Sequence, residues 1–449
     1  MSLSQIILIV GGIAFLYFLS RKPEMVAILL FTAVIADINF DLAGMPLNFR
    51  AMVSLSLLGR VLLGGDSKPI PAFAELSYTW QIIFFSIFVL AVTSMHGLLD
   101  MGVFKEFMLS VVCAFLAYHY FFQHKNYKIF KISIILAGLS CMLDLAYTYG
   151  TQGGFPVNRL YYQFTPAYVV VNHNFFGYIC GTAFVFLLAD YLADSKLPQK
   201  INLIMMPAMF LGVLLSTSRS ALLILLIVSL GVIGKALFTS GKGKKATTLI
   251  IVSLTCVLLM LFLFQIITIM FQIDSEFMET ITARMIDEPM AILNRWMGNS
   301  YDVNSLDSMD WRAEASALAY NTFMNMPVED QLFGIGWGGF LARDIGHGYD
   351  AHNGILLMFI EIGVVGSVIY FWMLISLVGR TIRYGYFSPL TVCLIYMFMY
   401  VTSHNKELMS FFAFLVTGTL AAELKRISMP EEEDEEDEED FEGVTEPAT

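Results

Sequence analysis

Apolar residues occur along this chain in runs long enough to cross a lipid bilayer. A helix needs about 20 mostly apolar residues to span roughly 30 Å of hydrocarbon. Such runs recur from the first residues to about residue 424, with polar connections between them. The pattern predicts 12 or 13 membrane-spanning helices. The predicted spans are 3–20, 24–40, 50–64, 79–98, 103–122, 130–149, 172–194, 201–217, 220–238, 246–273, 353–378, 386–403 and 408–424.

The connection at 274–350 is far longer than the others, and loops of this size are usually functional or disordered. Within it, Trp311, Ala315, Leu318 and Phe323 recur at helical spacing. We therefore predict a folded loop with at least one helix. The fold class is predicted as all-α, a polytopic transmembrane helical bundle with one large extracytoplasmic helical loop.

The composition agrees with a membrane protein. Hydrophobic residues make up 57% of the chain and charged residues 14%, whereas soluble domains carry about 25% charged residues. An ordinary soluble enzyme and a disordered chain are excluded. The five cysteines lie in apolar runs without a CxxC pair, which favours core filling over a metal or redox site. They are Cys113, Cys141, Cys180, Cys256 and Cys393. We predict no metal and no cofactor.

The formal net charge of -12 belongs to the C-terminal tail. Residues 431–440 are all acidic, and Glu442 and Glu446 follow them. The remaining 26 acidic residues balance the 26 lysines and arginines of the chain. A segment with nothing apolar to bury stays solvated, so we expect a disordered tail.

Basic residues fall in alternate connections, which sets the orientation because cytoplasmic loops are enriched in Lys and Arg. These residues are Arg21, Lys22, Lys125, Lys128, Lys131, Lys196, Lys200, Lys235, Lys242, Lys244, Lys245, Arg380, Arg383, Lys425 and Arg426. The acidic tail is then cytoplasmic. The connections 150–171, 216–220 and 274–350 face the opposite side.

This organisation divides the chain into five parts. They are N-terminal transmembrane helices (1–149), central transmembrane helices with an SRS motif (150–273), an extracytoplasmic lid (274–352), C-terminal transmembrane helices (353–426) and the acidic tail (427–449).

Charged residues near apolar spans are costly and are therefore functional candidates. Arg219 lies among small residues where two apolar runs meet on the external side, which favours a ligand contact over a snorkelling interfacial arginine. Arg312 begins the helix of the long loop, and alone it is better explained as a surface ion pair with Asp310 or Glu314.

Two further segments carry polar groups toward the same side. His352 and Asn353 precede an apolar helix, and Glu361 lies about two and a half turns deeper, where a carboxylate needs a partner. His352 is a base, a hydrogen-bond donor or a helix cap on this reasoning. Arg159 and Asn174 flank a tyrosine-rich stretch that suits either sugar stacking or an interfacial aromatic belt.

The long loop also contains a glycine-rich sequence, GIGWGGF, followed by Arg343 and His347. No GK[ST] sequence follows, so a tight loop with close backbone approach is favoured over a phosphate loop. The loop holds 13 acidic residues against four arginines, which excludes a diffuse attraction of anions. Local arginine forks that grip a phosphate remain compatible with this charge.

Three blocks resemble the bacterial O-antigen ligase/polymerase superfamily in sequence and order. They are SRSALLILLIV, WRAEASALAYNTFMNMPVEDQLFGIGWGGF and HNGILLMFIEIGVVGSVIYF, and the resemblance covers residues 150–380. The acidic loop and the acidic tail depart from the family pattern. The tail is a candidate handle for polysaccharide assembly proteins.

The resemblance implies a metal-independent glycosyltransferase at the outer face of the bacterial inner membrane. Its donor would be a glycan on undecaprenyl pyrophosphate, and its acceptor a glycan or lipid. Arg219 and Arg312 would bind the pyrophosphate, and His352 would act as a base or phosphate contact. Glu361 matches an E-x-G-x-x-G pattern and could orient the site, while Arg159 and Asn174 match a looser pattern. Arg343, His347 and Asn353 complete the predicted substrate-binding set.

Several functions remain open. A polymerase of O-antigen or exopolysaccharide repeat units and a ligase that moves the finished glycan to lipid A core or a protein would use the same residues. A polysaccharide or lipid transporter predicts internal repeats and broken helices, and no repeat is evident. A structural scaffold would tolerate loss of Arg219 and Arg312. Membrane lipids are expected partners, and nucleic acid is not.

Overall fold

The computed structural model describes residues 14–36, 49–63, 73–99, 101–124, 128–152, 160–161, 170–171, 173–193, 199–216, 218–239, 243, 247, 307–345, 353–383, 388–402 and 411–428. For residues 101–103, 106, 123–124, 146–152, 160–161, 170–171, 173, 199, 307–313 and 411, the backbone alone is described. The predicted span 246–273 apart from residue 247, Cys256 and the acidic tail beyond residue 428 lie outside these ranges.

The described residues form α-helices almost throughout, and a short helical stretch at 14–21 precedes the first of them. The helices are α1 (Pro23–Ile35), α2 (Phe49–Leu63), α3 (Ser77–Met95), α4 (Met101–His124), α5 (Lys128–Gln152), α6 (His173–Leu192), α7 (Gln199–Leu215), α8 (Arg219–Phe238), α9 (Asp307–Asn325), α10 (Val328–Phe333), α11 (Gly339–Ala342), α12 (Gly354–Arg383), α13 (Pro389–Val401) and α14 (Phe411–Ile427). Two-residue strands β1 (Leu160–Tyr161) and β2 (Val170–Val171) pair antiparallel in the connection between α5 and α6.

The helices have the length and composition of membrane spans. Within the described ranges, four helices are long and apolar enough to cross a bilayer: Ser77–Met95, Asn174–Leu192, Arg219–Phe238 and Gly354–Arg383. Shorter apolar helices cover Pro23–Ile35, Phe107–Phe122, Lys200–Leu215 and Pro389–Val401. The predicted all-α membrane fold is confirmed, and the count of 12 or 13 spans stays a prediction because the tenth lies outside the described ranges.

Large apolar side chains remain exposed in stripes along three of these helices. On α8, Leu223, Leu226 and Leu230 are 61%, 45% and 70% exposed, and they repeat at helical spacing. Comparable stripes follow α3 and α12, with Trp80, Phe84, Ile87, Val368, Trp372 and Ile375. Continuous apolar surface of this kind is stable only against lipid or another apolar partner. These faces are therefore the ones that contact the bilayer.

Inside the bundle, small residues let helices approach closely. A side chain at Gly418 of α14 would collide with the backbone of Ala114 in α4, which shows that these two helices nearly touch. Helix α6 is the most enclosed, with α5, α7, α8 and α13 around it. Close approach through glycine and alanine is the usual basis of packing between membrane helices, because lipid offers no hydrophobic drive for association. The four described cysteines are all buried, as predicted.

The two ends of the bundle can be distinguished by polar contacts. At one end, Lys425 pairs with Glu75 at 2.9 Å, and the Arg380 guanidinium donates a hydrogen bond to the Ser77 hydroxyl. The start of α3 and the ends of α12 and α14 therefore lie together. This agrees with the predicted alternation of the basic connections.

A buried ion pair joins α5, α6 and α7. Lys131 Nζ lies 2.8 Å from Asp190 Oδ2, and Asn202 Nδ2 donates to the same oxygen at 2.8 Å. Asp190 and Asn202 are fully buried. A buried carboxylate needs such donors, because an unpaired charge in this environment is strongly unfavourable.

Candidate functional site

The first part of the candidate site is the turn at 216–218, between α7 and α8. Ser216 and Ser218 are fully buried. The Ser216 hydroxyl donates to the carbonyl of Val213 at 2.7 Å and accepts from the Ser218 N–H at 3.3 Å. The Ser218 hydroxyl then caps α8 by accepting from the Ala221 N–H at 3.4 Å. Arg219 is consequently fixed as the first residue of α8.

The turn packs against Gly177 of α6. A Cβ atom at Gly177 would lie 2.5 Å from Ser216 Oγ and 2.7 Å from Ser218 Cβ, so no larger residue fits without moving the turn. Asn174, one turn before Gly177, is also buried. The structure therefore brings the starts of α6 and α8 together, and with them two of the predicted site residues, Asn174 and Arg219.

Two tyrosines of α13 connect these helix starts. The Tyr396 hydroxyl donates to the Ala221 carbonyl at 3.3 Å, and the Tyr400 hydroxyl donates to the Asn174 carbonyl at 2.7 Å. Both tyrosines are buried. They hold the backbone two residues after Arg219 and the backbone at the start of α6. No pattern in the sequence distinguishes them from other tyrosines in apolar runs.

Positive charge is concentrated at the start of α8, which we call the Arg219 corner. The N-terminus of an α-helix carries roughly half a positive charge, so an arginine at the first position of α8 is electrostatically unfavourable unless an anion is nearby. Arg219 is partly exposed. An arginine at a helix N-terminus places two sources of positive charge close together, and both favour the binding of a phosphate group.

The second part of the candidate site is a break in α12. Gly363 has φ 68° and ψ 179°, which is not helical, and it lies nine residues after Gly354, or about 14 Å along the helix. At the break, the carbonyls of Ile360 and Glu361 accept hydrogen bonds from the N–H groups of Ile335 and Gly336, at 3.0 and 2.9 Å. The glycine-rich segment therefore pairs with the interrupted helix.

Two glycines make this pairing sterically feasible. Gly334 has φ 82° and ψ 174°, and Gly363 has almost the same angles. A Cβ atom on either residue would lie 2.5 Å from the backbone nitrogen of the other. This backbone region is occupied almost only by glycine. The prediction of a tight loop with close backbone approach is confirmed.

Glu361 is buried beside this pairing, as its depth in the sequence suggested. Its Oε1 accepts from the Phe340 N–H at 3.4 Å, in the first turn of α11. The expected partner of this carboxylate therefore includes a backbone donor of the long loop. Asn353 caps α12, since its Oδ1 accepts from the N–H groups of Ile355 and Leu356 at 3.2 Å each.

A small apolar core lies under the loop, separate from the core of the bundle. Ala319, Ile335, Phe340, Leu357 and Ile360 form it. Helix α9 packs on α12 through this core, which confirms the predicted helix in the long loop.

The predicted apolar face of α9 is partly wrong. Leu318 is 40% exposed, whereas its neighbour Ala319 is fully buried. Ala319 is buried in the small core against α12 and Phe323 packs against that core partly buried, whereas Leu318 lies to the side of this stripe.

The loop is also held from α3. The Trp337 N–H donates to Thr93 Oγ1 at 3.0 Å, and His96 Nε2 lies 2.9 Å from the Gly334 carbonyl. The other imidazole nitrogen, Nδ1, lies 2.8 Å from Nη2 of Arg343. Sequence reasoning selected Arg343 but missed His96, because a lone histidine after an apolar run resembles an interfacial residue.

Both parts of the site lie at the same end of the bundle. The hydroxyls of Thr381 and Thr391 are 3.3 Å apart where α12 turns into α13, so these helices run antiparallel. The far end of α13 carries Tyr400, which contacts Asn174. The starts of α6, α8 and α12 are therefore at one end.

Not all predicted site residues can be placed. Arg159, His347 and His352 lie outside the described residues. Arg312 belongs to α9, whose backbone is described at that position while its side chain is not. Whether the arginine side chains meet around one ligand stays a prediction.

Comparison with protein families finds a match to the family described as O-antigen ligase, over residues 204–371. The matched segment begins in α7 and ends in α12, and it includes the serine turn, Arg219, the glycine-rich loop and Glu361. Comparison with curated proteins and with solved structures finds no match. The family consists of membrane glycosyltransferases of the O-antigen ligase and polymerase type. The matched segment covers over a third of the chain, and it supports membership of the O-antigen ligase/polymerase superfamily.

Proposed function

We propose that the protein transfers a glycan from undecaprenyl pyrophosphate to a sugar hydroxyl at the outer face of the bacterial inner membrane. The product would be a longer O-antigen or exopolysaccharide chain. The observation that carries this proposal is the O-antigen ligase match, because it spans both the Arg219 corner and the broken helix α12.

The reaction needs charge stabilisation on the leaving group. The bond between the anomeric carbon and the pyrophosphate oxygen breaks, and the pyrophosphate leaves with the electron pair. The acceptor oxygen bonds to the anomeric carbon and loses its proton to a base, for which His352 is our candidate. Donors fixed before the reaction stabilise developing charge most effectively. Arg219, whose backbone position is set by the serine turn, fits this role, and Arg312 is proposed to share it.

The loop and α12 would form a rigid wall of the donor site. Glu361 accepts from the loop backbone, and the carbonyls at the break are already paired. Their role in this proposal is to hold the loop, and with it Arg343, at the end of the bundle where Arg219 lies.

A transporter is the alternative from another class, and the break in α12 is a feature it predicts. In transporters, however, the free backbone groups of broken helices bind the cargo or the coupling ion. Here the carbonyls of Ile360 and Glu361 accept from Ile335 and Gly336. They are committed to the loop, so this break does not favour transport.

The test is complementation of a strain that lacks the gene. Arg219→Ala and Arg219→Lys should both abolish long chains at wild-type protein levels, because a lysine cannot reproduce the planar fork. Arg383→Lys is the matched control, since Arg383 is exposed at the opposite end of α12. Normal chains in the Arg219→Lys strain would contradict the proposal.

The same strain separates polymerase from ligase. Loss of a polymerase leaves single repeat units on the carrier and on the final acceptor. Loss of a ligase leaves long chains on undecaprenyl pyrophosphate and none on the acceptor. The second pattern would replace polymerisation by ligation to lipid A core or a protein while leaving the donor chemistry unchanged.

A further inference from the structure

The imidazole of His96 is fixed in one protonation form by its two contacts. The Gly334 carbonyl, 2.9 Å from Nε2, can only accept, so Nε2 carries the hydrogen. The guanidinium of Arg343, 2.8 Å from Nδ1, can only donate, so Nδ1 is the acceptor. The network therefore assigns a neutral imidazole with hydrogen on Nε2.

Arg343 keeps its positive charge in this arrangement. Within the described ranges, no carboxylate oxygen lies within ion-pair distance of its guanidinium, and the nearby Asp330 faces His96 Nε2 at 3.8 Å. Arg343 is exposed, and only one of its five N–H donors is used by His96. The neutral imidazole of His96 orients the guanidinium of Arg343 without cancelling the positive charge that an anion would recognise.

We propose that His96 is a positioning residue that holds Arg343 as a phosphate contact for the diphosphate-linked donor. This inference rests on the proposed function. It adds to the donor site a residue that directly follows α3 and lies outside the segment matched by the family. His96 contacts the loop at two points: it anchors Gly334, the first residue of the glycine-rich sequence, and it orients Arg343.

Two substitutions separate anchoring from orienting. In His96→Gln, the amide nitrogen can replace Nε2 and donate to the Gly334 carbonyl, but no acceptor remains for Arg343. In His96→Asn, the amide oxygen can replace Nδ1 and accept from Arg343, but the bond to Gly334 is lost. A purely structural role predicts that the glutamine variant is the better one. The positioning role predicts that the asparagine variant is.

The measurement is binding of undecaprenyl pyrophosphate to the purified full-length protein in nanodiscs, with undecaprenyl monophosphate as a second probe. We expect Arg343→Ala and His96→Gln each to weaken diphosphate binding by at least about tenfold, as expected for loss of a hydrogen bond to a charged group. His96→Asn should bind within about threefold of the wild type. Adding His96→Gln to Arg343→Ala should cause no further loss, because both remove the same contact.

The outcomes are distinguishable from failure of the proposed function. Wild-type binding by His96→Gln, or equal loss in both His96 variants together with a lowered melting temperature, would overturn the positioning role. If Arg219→Ala abolishes binding while the Arg343 and His96 variants do not change it, the proposed function survives and this inference fails. If the wild-type protein does not bind the diphosphate lipid, both fail.

Discussion

The contact between Gly334 and Gly363 provides the sharpest test of the structure, through the substitution Gly363→Ala. The new methyl group would lie 2.5 Å from the backbone nitrogen of Gly334, far inside van der Waals contact. Flexible side chains cannot relieve this collision, because the neighbouring atoms belong to the backbone of the loop. The loop has to separate from α12, or α12 has to change its path.

The expected cost can be estimated from the geometry. A non-glycine residue in this backbone region costs roughly 1–3 kcal/mol. Separation of the loop removes the bonds from Ile335 and Gly336 to α12, at about 1 kcal/mol each. Together these terms give a loss of roughly 3–5 kcal/mol. Gly334→Ala should cost a similar amount, and the double variant less than the sum, since both changes break one contact.

Two glycines serve as controls for this experiment. Gly338 has φ 78° with open space around it, so Gly338→Ala shows the backbone cost alone, about 1–2 kcal/mol. Gly379, in the far half of α12, has nothing within 4 Å of the position that a methyl group would take, and Gly379→Ala should be neutral or slightly stabilising.

The assay is thermal and denaturant unfolding of the detergent-solubilised protein, together with limited proteolysis near residues 334–343. Gly363→Ala should be cut in this segment under conditions that leave the Gly338→Ala protein intact, and long chains should be lost. If Gly363→Ala unfolds like Gly338→Ala and resists proteolysis, the close pairing of loop and helix is wrong.

Three further predictions concern the bundle. Lys131→Met should destabilise the protein by about 3–5 kcal/mol because it leaves the Asp190 carboxylate buried without its cation. The double variant Lys131→Met/Asp190→Leu should recover most of this stability in unfolding experiments. An equally unstable double variant would contradict this. Gly177→Val should lower both stability and activity because it displaces the serine turn, and wild-type activity in this variant would show that the turn is not held as described. Tyr396→Phe should cost about 1 kcal/mol through loss of the bond to the Ala221 carbonyl, and an unchanged melting temperature would argue against that bond.

The helices could be predicted from the sequence because the bilayer imposes their length and composition. Runs of apolar residues at 79–98 and 220–238 became α3 and α8 with only small shifts at their ends. The family resemblance was equally accessible, since its motifs are local blocks in a fixed order, and the match over 204–371 confirmed it.

The candidate site was harder to predict from the sequence because its contacts join distant parts of the chain. His96 and Arg343 are separated by 247 positions, and no local pattern relates them. Leu318 was placed on the apolar face of α9 by its helical spacing, yet it is 40% exposed, and the neighbouring Ala319 packs into the small core against α12 instead. Spacing predicts that a helix forms, whereas the shape of its neighbour decides which side is buried.

The backbone pairing between α12 and the glycine-rich segment restricts how the protein can move during a catalytic cycle. Separating residues 335–336 from α12 would leave the carbonyl oxygens of the buried residues Ile360 and Glu361 without these partners, at a cost of about 1 kcal/mol for each lost bond. The glycine-rich segment and the first half of α12 should therefore move together as one rigid body. A gate for the proposed lipid-linked donor would have to hinge elsewhere, and a ligand that separates residues 335–336 from α12 would act by unfolding this pairing.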